Sequence, residues 1–275
     1  MPHKADDNGS MGFLAATLAL PNEDPRKIVF VAVALCLVCS VLVSTAAVAL
    51  KPLQLRNETL ARKAEILRVG GLYEQGGDIE TLFGQVETRI VELGTGEYSD
   101  RFDPATFDDR DAARDPALSS DLDKGQDIAG IRRRSDFVPV YQIREGGSLD
   151  TVILPVHGYG LWSTMYGFLA MDSDATTIKG LTFHEHGETA GLGDQIANPR
   201  WLSQFTGKSA FDDDGQPRIS VIKGLVDSQS PDARFQVDGI AGATLTSNGV
   251  TNLLQFWLGV DGFGPYLDKL RKSGG

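Results

Sequence analysis

The sequence predicts an α+β fold carried on a single N-terminal membrane helix, and three observations predict it. An uncharged run from Ile28 to Leu50 is long enough to cross a bilayer. Short apolar strand patterns between residues 137 and 222 are separated by glycine-marked turns rather than by helices, and an apolar helical stripe follows near the C-terminus. Without regular strand–helix alternation a doubly wound fold is excluded, and a curved, mostly antiparallel sheet with flanking helices is expected.

The elements follow in chain order. The twenty-three residues 28–50 reach roughly 34 Å as a helix, against a hydrocarbon core of about 30 Å. Arg26 and Lys27 close one end, Lys51 and Pro52 the other. Ser44, Thr45, Ala46 and Ala47 leave a cleaved signal peptide as the competing reading, but such a segment has an apolar core of about 7–15 residues, so an uncleaved anchor is favoured. Lys4, Arg26 and Lys27 precede the span while Lys51, Arg56, Arg62, Lys63 and Arg68 follow it, so the local charge count does not orient it. The long acidic body escapes the charge rule and is placed outside the cytoplasm, with residues 1–27 a short cytoplasmic N-terminus. The only two cysteines, Cys36 and Cys39, lie on one helical face inside the span and read as packing residues. A disulfide scaffold, a multi-thiolate zinc site and an iron–sulfur cluster held by this chain alone are thereby excluded.

Residues 51–130 are expected to hold juxtamembrane helices and an acidic insertion. Leu53, Leu60, Ala64 and Leu67 give a helix over Leu53–Arg68, stopped by Gly70-Gly71. Ile79–Leu93 reads as a second amphipathic helix. Residues 94–128 carry nine aspartates and few large apolar residues; calcium-loop spacing is missing, so a solvated insertion is expected. Residues 131–275 form the main domain. Strands are predicted at Phe137–Ile143, Thr151–Val156, Tyr166–Met171, Thr177–Phe183 and Ile219–Ile222, and helices at Asn198–Phe205 and near the C-terminus. Asp212-Asp213-Asp214-Gly215 lacks the later glutamate of a calcium loop and reads as a β-turn. With 26 basic against 37 acidic residues in 275, the net charge is −11, which excludes nucleic acid as a partner.

One stretch carries most of the chemistry. Residues 238–250, Asp-Gly-Ile-Ala-Gly-Ala-Thr-Leu-Thr-Ser-Asn-Gly-Val, pass from an acidic residue through small ones into a helix marked by Val250, Leu253, Leu254, Trp257 and Leu258. Thr246 or Ser247 is the expected N-cap and Gly259 the stop. Thr244 then sits just ahead of free N–H groups and a helix dipole that favour an anion, and Gly242 and Ala243 let a bulky group approach the backbone. That is a phosphate site centred on Thr244, or an ordinary turn into a core helix. Glu188-Thr189 followed by Gly191-Leu192-Gly193 forms a compact loop able to approach a flat ring; with Ile196 in place of a third glycine it is no dinucleotide fingerprint. Leu161 and Trp162, between glycines at 158, 160 and 167, are candidate cofactor-facing residues, and Lys223 a candidate cation beside a phosphate or a reduced ring. His184 and His186 project from one strand face as metal pairs do, but only His157, Glu185 and Glu188 are near enough in sequence to complete a site, so plain strand histidines are preferred. No Gly-x-Ser-x-Gly elbow occurs, which argues against a hydrolase.

Asp238–Thr244 resembles the motif of the family in which FMN is attached through its phosphate to a threonine, with Ala241 where serine or threonine is usual. Further blocks, Gly158–Phe168, Leu181–Gly193, Asn198–Trp201 and Phe256–Tyr266, make the chain similar to the C-subunit family of the Na+-translocating NADH:quinone reductases, with Ala190 where proline is usual. The resemblance implies covalent FMN on Thr244, with Asp238 placing a metal during attachment by a separate flavin transferase. It also implies that Glu188, Thr189, Leu192 and Gly193 line the isoalloxazine, with Gly242, Ala243 and Thr246 near the phosphate. The implied protein is an electron-carrier subunit, not catalytic alone, in a bacterial inner-membrane sodium-pumping complex. Residues 131–275 would be its periplasmic FMN-binding domain, and its partner subunits would hold FAD, an iron–sulfur centre and the sodium route. The alternatives are the homologous flavoprotein subunit of an Rnf-type ferredoxin:NAD oxidoreductase, or a non-redox, membrane-anchored periplasmic binding protein.

Overall fold

The computed structural model describes Gly12 and residues 15–273, so Lys4 and the beginning of the expected N-terminal segment lie outside the described residues. The chain divides into two units, Met1–Thr59 and Leu60–Gly275. In the first, the apolar run belongs to helix α1, Pro25–Val69, the one helix among the described residues long and apolar enough to cross a membrane. Pro52 lies inside this helix and does not end it; the predicted juxtamembrane helix is the continuation of α1, closed at Gly70-Gly71, where Gly71 takes φ +76°.

The second unit is built on a sheet of six strands: β1 (Val86–Glu92), β2 (Glu97–Tyr98), β5 (Phe137–Glu145), β6 (Ser148–Tyr159), β7 (Thr164–Asp172) and β8 (Ile178–Glu185). Their spatial order is β2-β1-β5-β6-β7-β8, and every neighbouring pair is antiparallel. The ribbon β3 (Ser119–Asp121) with β4 (Arg133–Ser135) is antiparallel, and β9 (Ser220–Val221) with β10 (Gln236–Val237) is parallel. Four predicted strands are thus observed, each longer at one or both ends, and Ile219–Ile222 shrinks to β9.

Both faces of the sheet are covered, which is why its central strands read as nearly unbroken apolar runs. Val138, Val140, Val152, Leu154, Val156, Leu169 and Met171 face the C-terminal helices α5 (Thr244–Leu258) and α6 (Gly264–Ser273). Tyr141, Ile143, Ile153, Phe168 and Ala170 alternate with them and face Ile66 and Leu67 at the end of α1. Gln142 is buried under α6, where its side-chain amide donates to the Tyr266 hydroxyl at 2.8 Å.

Three expectations are corrected. Ile79–Leu93 is not one helix: a single turn, α2 (Ile79–Phe83), ends at Gly84, and residues 86–92 become β1, whose seven residues all pair with β5. Val86, Thr88, Ile90 and Val91 are β-branched, and tertiary pairing overrides a helical spacing that Gly84 interrupts. The acidic insertion carries β2, β3 and a short helix α3 (Asp109–Ala112) capped by Asp108. The Asn198–Phe205 helix is split into α4 (Pro199–Leu202), capped by Asn198, and a 3-10 turn at Ser203–Phe205. The Asp212–Gly215 turn is observed, with the Gly215 N–H donating to the Asp212 carbonyl.

Candidate functional site

The long β6–β7 hairpin pairs Thr151 with Asp172 at one end and Tyr159 with Thr164 at the other, so its turn presents residues 160–163 beyond the sheet edge. Leu161 and Trp162 are exposed there, Trp162 by 65%. The loop after β8 is a compact turn in which Leu192 and Asp194 donate their N–H groups to the Thr189 carbonyl. The Trp162 indole donates to the Thr189 hydroxyl at 3.0 Å, joining the two loops.

The third component is the start of α5. Its N-cap is Ala243, with no side-chain cap, and Thr244 is the first helical residue rather than a residue ahead of the helix. Thr246 and Ser247, expected as caps, instead extend the buried stripe of α5 one turn towards its N-terminus. Their hydroxyls are engaged elsewhere: Thr246 donates to Glu188 at 2.6 Å and Ser247 accepts the Ile240 N–H at 3.3 Å. The first-turn N–H groups are left without a side-chain cap, the condition under which an anion is favoured. Thr244 is exposed beside them.

Thr244 also lines a cleft of about 420 Å³ with Lys223, Leu225, Ile240, Gly242 and Asn248. Gly242 adopts φ +76°, and a methyl there would meet Leu192 Cδ2 at 3.0 Å, so the left-handed turn brings the small-residue motif against the Leu192 loop. Lys223 stands on the same cleft, where an ammonium group complements a phosphate. Asp238 is turned into the scaffold: its carboxylate accepts the Val226 N–H at 2.7 Å and its carbonyl accepts the Trp201 indole N–H at 2.8 Å.

Two of the expected residues face inward. Glu188 is 8% exposed and Thr246 fully buried. Glu188 accepts the N–H groups of Leu161 and Trp162 on one oxygen, both at 3.0 Å, and the Thr246 hydroxyl on the other. Burial opposes ionisation of this carboxyl, but the hydrogen bonds from Thr246, Trp162 and Leu161 outweigh it and hold the pKa below the usual carboxylate range. Gly193, also buried, packs against the same pair. Ala243 is buried at the helix start, whereas Thr189 is exposed on the outer side of its loop.

Sequence reasoning missed Leu245 and Leu225, both large, apolar and exposed beside Thr244. Leu245 had a legible signal, since it falls outside the buried stripe at 246, 247, 250, 253, 254, 257 and 258; Leu225 had none. The histidines gather no metal set: among the described residues no group of three or more His, Cys, Asp or Glu side chains could hold an ion. His184 stacks on Phe168 at 5.0 Å, and His157 lies between Tyr166 and Trp257.

An uncapped helix start, a glycine turn that admits a bulky group, a neighbouring lysine and exposed apolar side chains on converging loops fit a flat cofactor with an anionic tail. They define the class of flavin-binding domains. A family model described as the FMN-binding domain matches residues 160–259, a range that spans all three components. The C-subunit of the Na(+)-translocating NADH-quinone reductase of Pseudomonas aeruginosa is 49% identical over 255 residues, covering 91% of this chain and 98% of that protein. Its counterpart of the same name in Yersinia pestis is 48% identical over 257 residues, covering 92% and 95%. The crystal structure of Shewanella oneidensis NqrC superimposes with a TM-score of 0.71 at 36% identity, covering 78% of this chain and 97% of that one. The chain belongs to the C-subunit family of the Na(+)-translocating NADH-quinone reductases.

Proposed function

We propose that this protein is the FMN-carrying subunit of a membrane NADH:quinone oxidoreductase that exports sodium, and that its FMN is held by a phosphoester to the Thr244 hydroxyl. The observation that carries the reading is the exposed Thr244 at an uncapped helix start, beside Lys223 and the left-handed turn at Gly242. FMN, when bound, supplies reversible electron uptake and release. The chain's own part is to place and surround it. The first-turn N–H groups of α5 and Lys223 neutralise the phosphate, while Leu161, Trp162, Leu192 and Leu245 offer apolar surface to the ring. Glu188, Thr189 and Gly193 build the loop that holds that surface in place.

A threonine hydroxyl does not ionise near neutral pH, and among the described residues no base hydrogen-bonds to Thr244 Oγ1, so attachment falls to a separate flavin transferase. That enzyme, using FAD and magnesium, transfers the FMN phosphoryl group to Oγ1 as the FAD pyrophosphate bond breaks, AMP departs and the hydroxyl proton is lost; Asp238, at the head of the motif, supports its geometry. Residues 28–50 anchor the protein in the bacterial inner membrane and residues 131–275 work in the periplasm, passing electrons between centres held by partner subunits. The relatives favour this over an Rnf-type flavoprotein, and the flavin-shaped site favours it over a non-redox binding protein.

Intact-mass measurement on the chain expressed with its flavin transferase tests the reading. An FMN-sized adduct is expected on the native chain and on Thr244→Ser, and none on Thr244→Leu. An adduct that persists in Thr244→Leu overturns the assignment.

A further inference from the structure

Glu188 stands at the one place where all three components of the site meet. One carboxylate oxygen accepts two consecutive backbone N–H groups at the tip of the β6–β7 hairpin, and the other accepts the hydroxyl of Thr246, two residues beyond Thr244 on the first turn of α5. No side chain fits on either side of the carboxylate. A Cβ at Gly160 would lie 2.5 Å from one oxygen, and a Cβ at Gly193 would lie 3.0 Å from the other and 2.8 Å from the Thr246 hydroxyl. Glycines on both sides thus allow the hairpin tip and the Leu192 loop to close on a single charged group. Its contacts lie within the protein, and the N–H groups of Leu161 and Trp162 are consumed by it.

We propose that Glu188 is a positioning residue, a buried clasp that locks the Leu161–Trp162 hairpin tip and the Leu192 loop to the first turn of α5 and so fixes the wall of the flavin site relative to Thr244. The proposal deepens, and rests on, the reading of Thr244 as the attachment point. Charge-assisted hydrogen bonds to a desolvated carboxylate are the strong kind, and three of them converge here. Without the clasp these two backbone N–H groups no longer tie the hairpin tip to α5, and Trp162 keeps its indole bond to Thr189. The ring's surroundings then lose their fixed geometry while the phosphate end, bound by α5 itself, is unaffected.

Two measurements on the full chain in detergent separate this from the reading it rests on. The first needs no flavin: hydrogen exchange at the Leu161 and Trp162 amides in the Thr244→Leu background. Glu188→Ala is expected to accelerate exchange there about tenfold or more, the loss of a charge-assisted hydrogen bond, with Glu188→Gln restoring much of the protection. The second uses flavinylated protein: the visible circular dichroism of the attached FMN, normalised to flavin content. Glu188→Ala is expected to lose most of that signal at near-native flavin content, Thr246→Val to lose part of it, and Glu188→Gln to recover it. Unchanged amide exchange in Glu188→Ala, or an unchanged dichroism per flavin in both Glu188→Ala and Thr246→Val, overturns the clasp. If Glu188→Ala does not fold, the Thr246→Val spectrum decides, and an unaltered one overturns it. A native chain that carries no flavin overturns the reading beneath instead, and the exchange measurement then judges the clasp alone.

Discussion

At the scale of single residues, the buried titratable groups set a pH dependence that the surface charge would not suggest. Burial drives His157 down to about 4, with Arg110 adding to the effect against Asp109. Burial likewise drives His184 down to about 4, helped by Arg110 and Arg62 against Glu185 and Glu65. Both rings are therefore neutral in the folded protein at pH values where the unfolded chain, with histidine near 6.5, already binds protons. The resulting stability is complete above about pH 6.5 and is lost as pH falls from there towards 4, by up to about 1.4 kcal/mol per pH unit for each ring. Denaturant midpoints of the full chain are expected to fall between about pH 6.5 and pH 5, above the range where most carboxylates titrate. His184→Leu should flatten that slope. A midpoint constant over this interval would show that the rings do not remain neutral. Thr246 makes the complementary point: a hydroxyl in a core stripe is tolerated because Glu188 accepts its proton at 2.6 Å.

At the scale of elements, the last turns of α1 are part of the sheet's core. Ile66 and Leu67 are buried against Ile153 and Phe168, and Arg62, lying over the Phe168 ring at 5.8 Å, pairs with Asp109 of α3 at 3.2 Å. The guanidinium is held more firmly protonated than usual, because Tyr141 and Asp109 outweigh the desolvation that opposes it. Asp109 is only 7% exposed at its side chain, so Arg62→Met leaves a buried carboxylate uncompensated and should cost about 2–3 kcal/mol, with Asp109→Leu costing a similar amount. The double variant should be less destabilised than the sum, by about 1–2 kcal/mol in denaturant melts; strict additivity would mean that the pair is not coupled. This contact explains what was legible in the sequence and what was not. Strands β5 to β8 of the main sheet could be read because both their faces are apolar, whereas β1 and β2 could not, and the end of α1 could be read because Gly70-Gly71 stops it. The Arg62–Asp109 pair could not be read, because it joins residues 47 apart whose charges look like those of a solvated surface. The start of α5 was misread for a related reason: Thr246 and Ser247 are good caps in isolation, and only the distant Glu188 and nearby Ile240 claim their hydroxyls.

At the scale of the whole molecule, the site depends on segments from residues 158–163, 188–193, 223–225 and 238–248 converging, and each contributes small residues whose purpose is visible only once the neighbouring loop is known. The small-residue turn ahead of α5 and the loop glycines were legible in the sequence; the inward turn of Glu188 was not, since a sequence does not say which way a carboxylate points. The membrane topology is governed by different physics. Five basic residues follow the span up to Arg68, which would hold that side in the cytoplasm if the local count ruled. Long domains translocate largely regardless of such charges, and three of the five, Arg62, Lys63 and Arg68, are paired with Asp109, Glu80 and Glu65, which weakens the local count without removing Lys51 and Arg56 from it. The body is therefore expected to be periplasmic. Protease added to intact spheroplasts should cleave the region from about residue 60 onward, while inside-out vesicles should protect it. Protection in spheroplasts together with cleavage in inside-out vesicles would place Thr244 in the cytoplasm, away from the compartment in which the proposed attachment occurs.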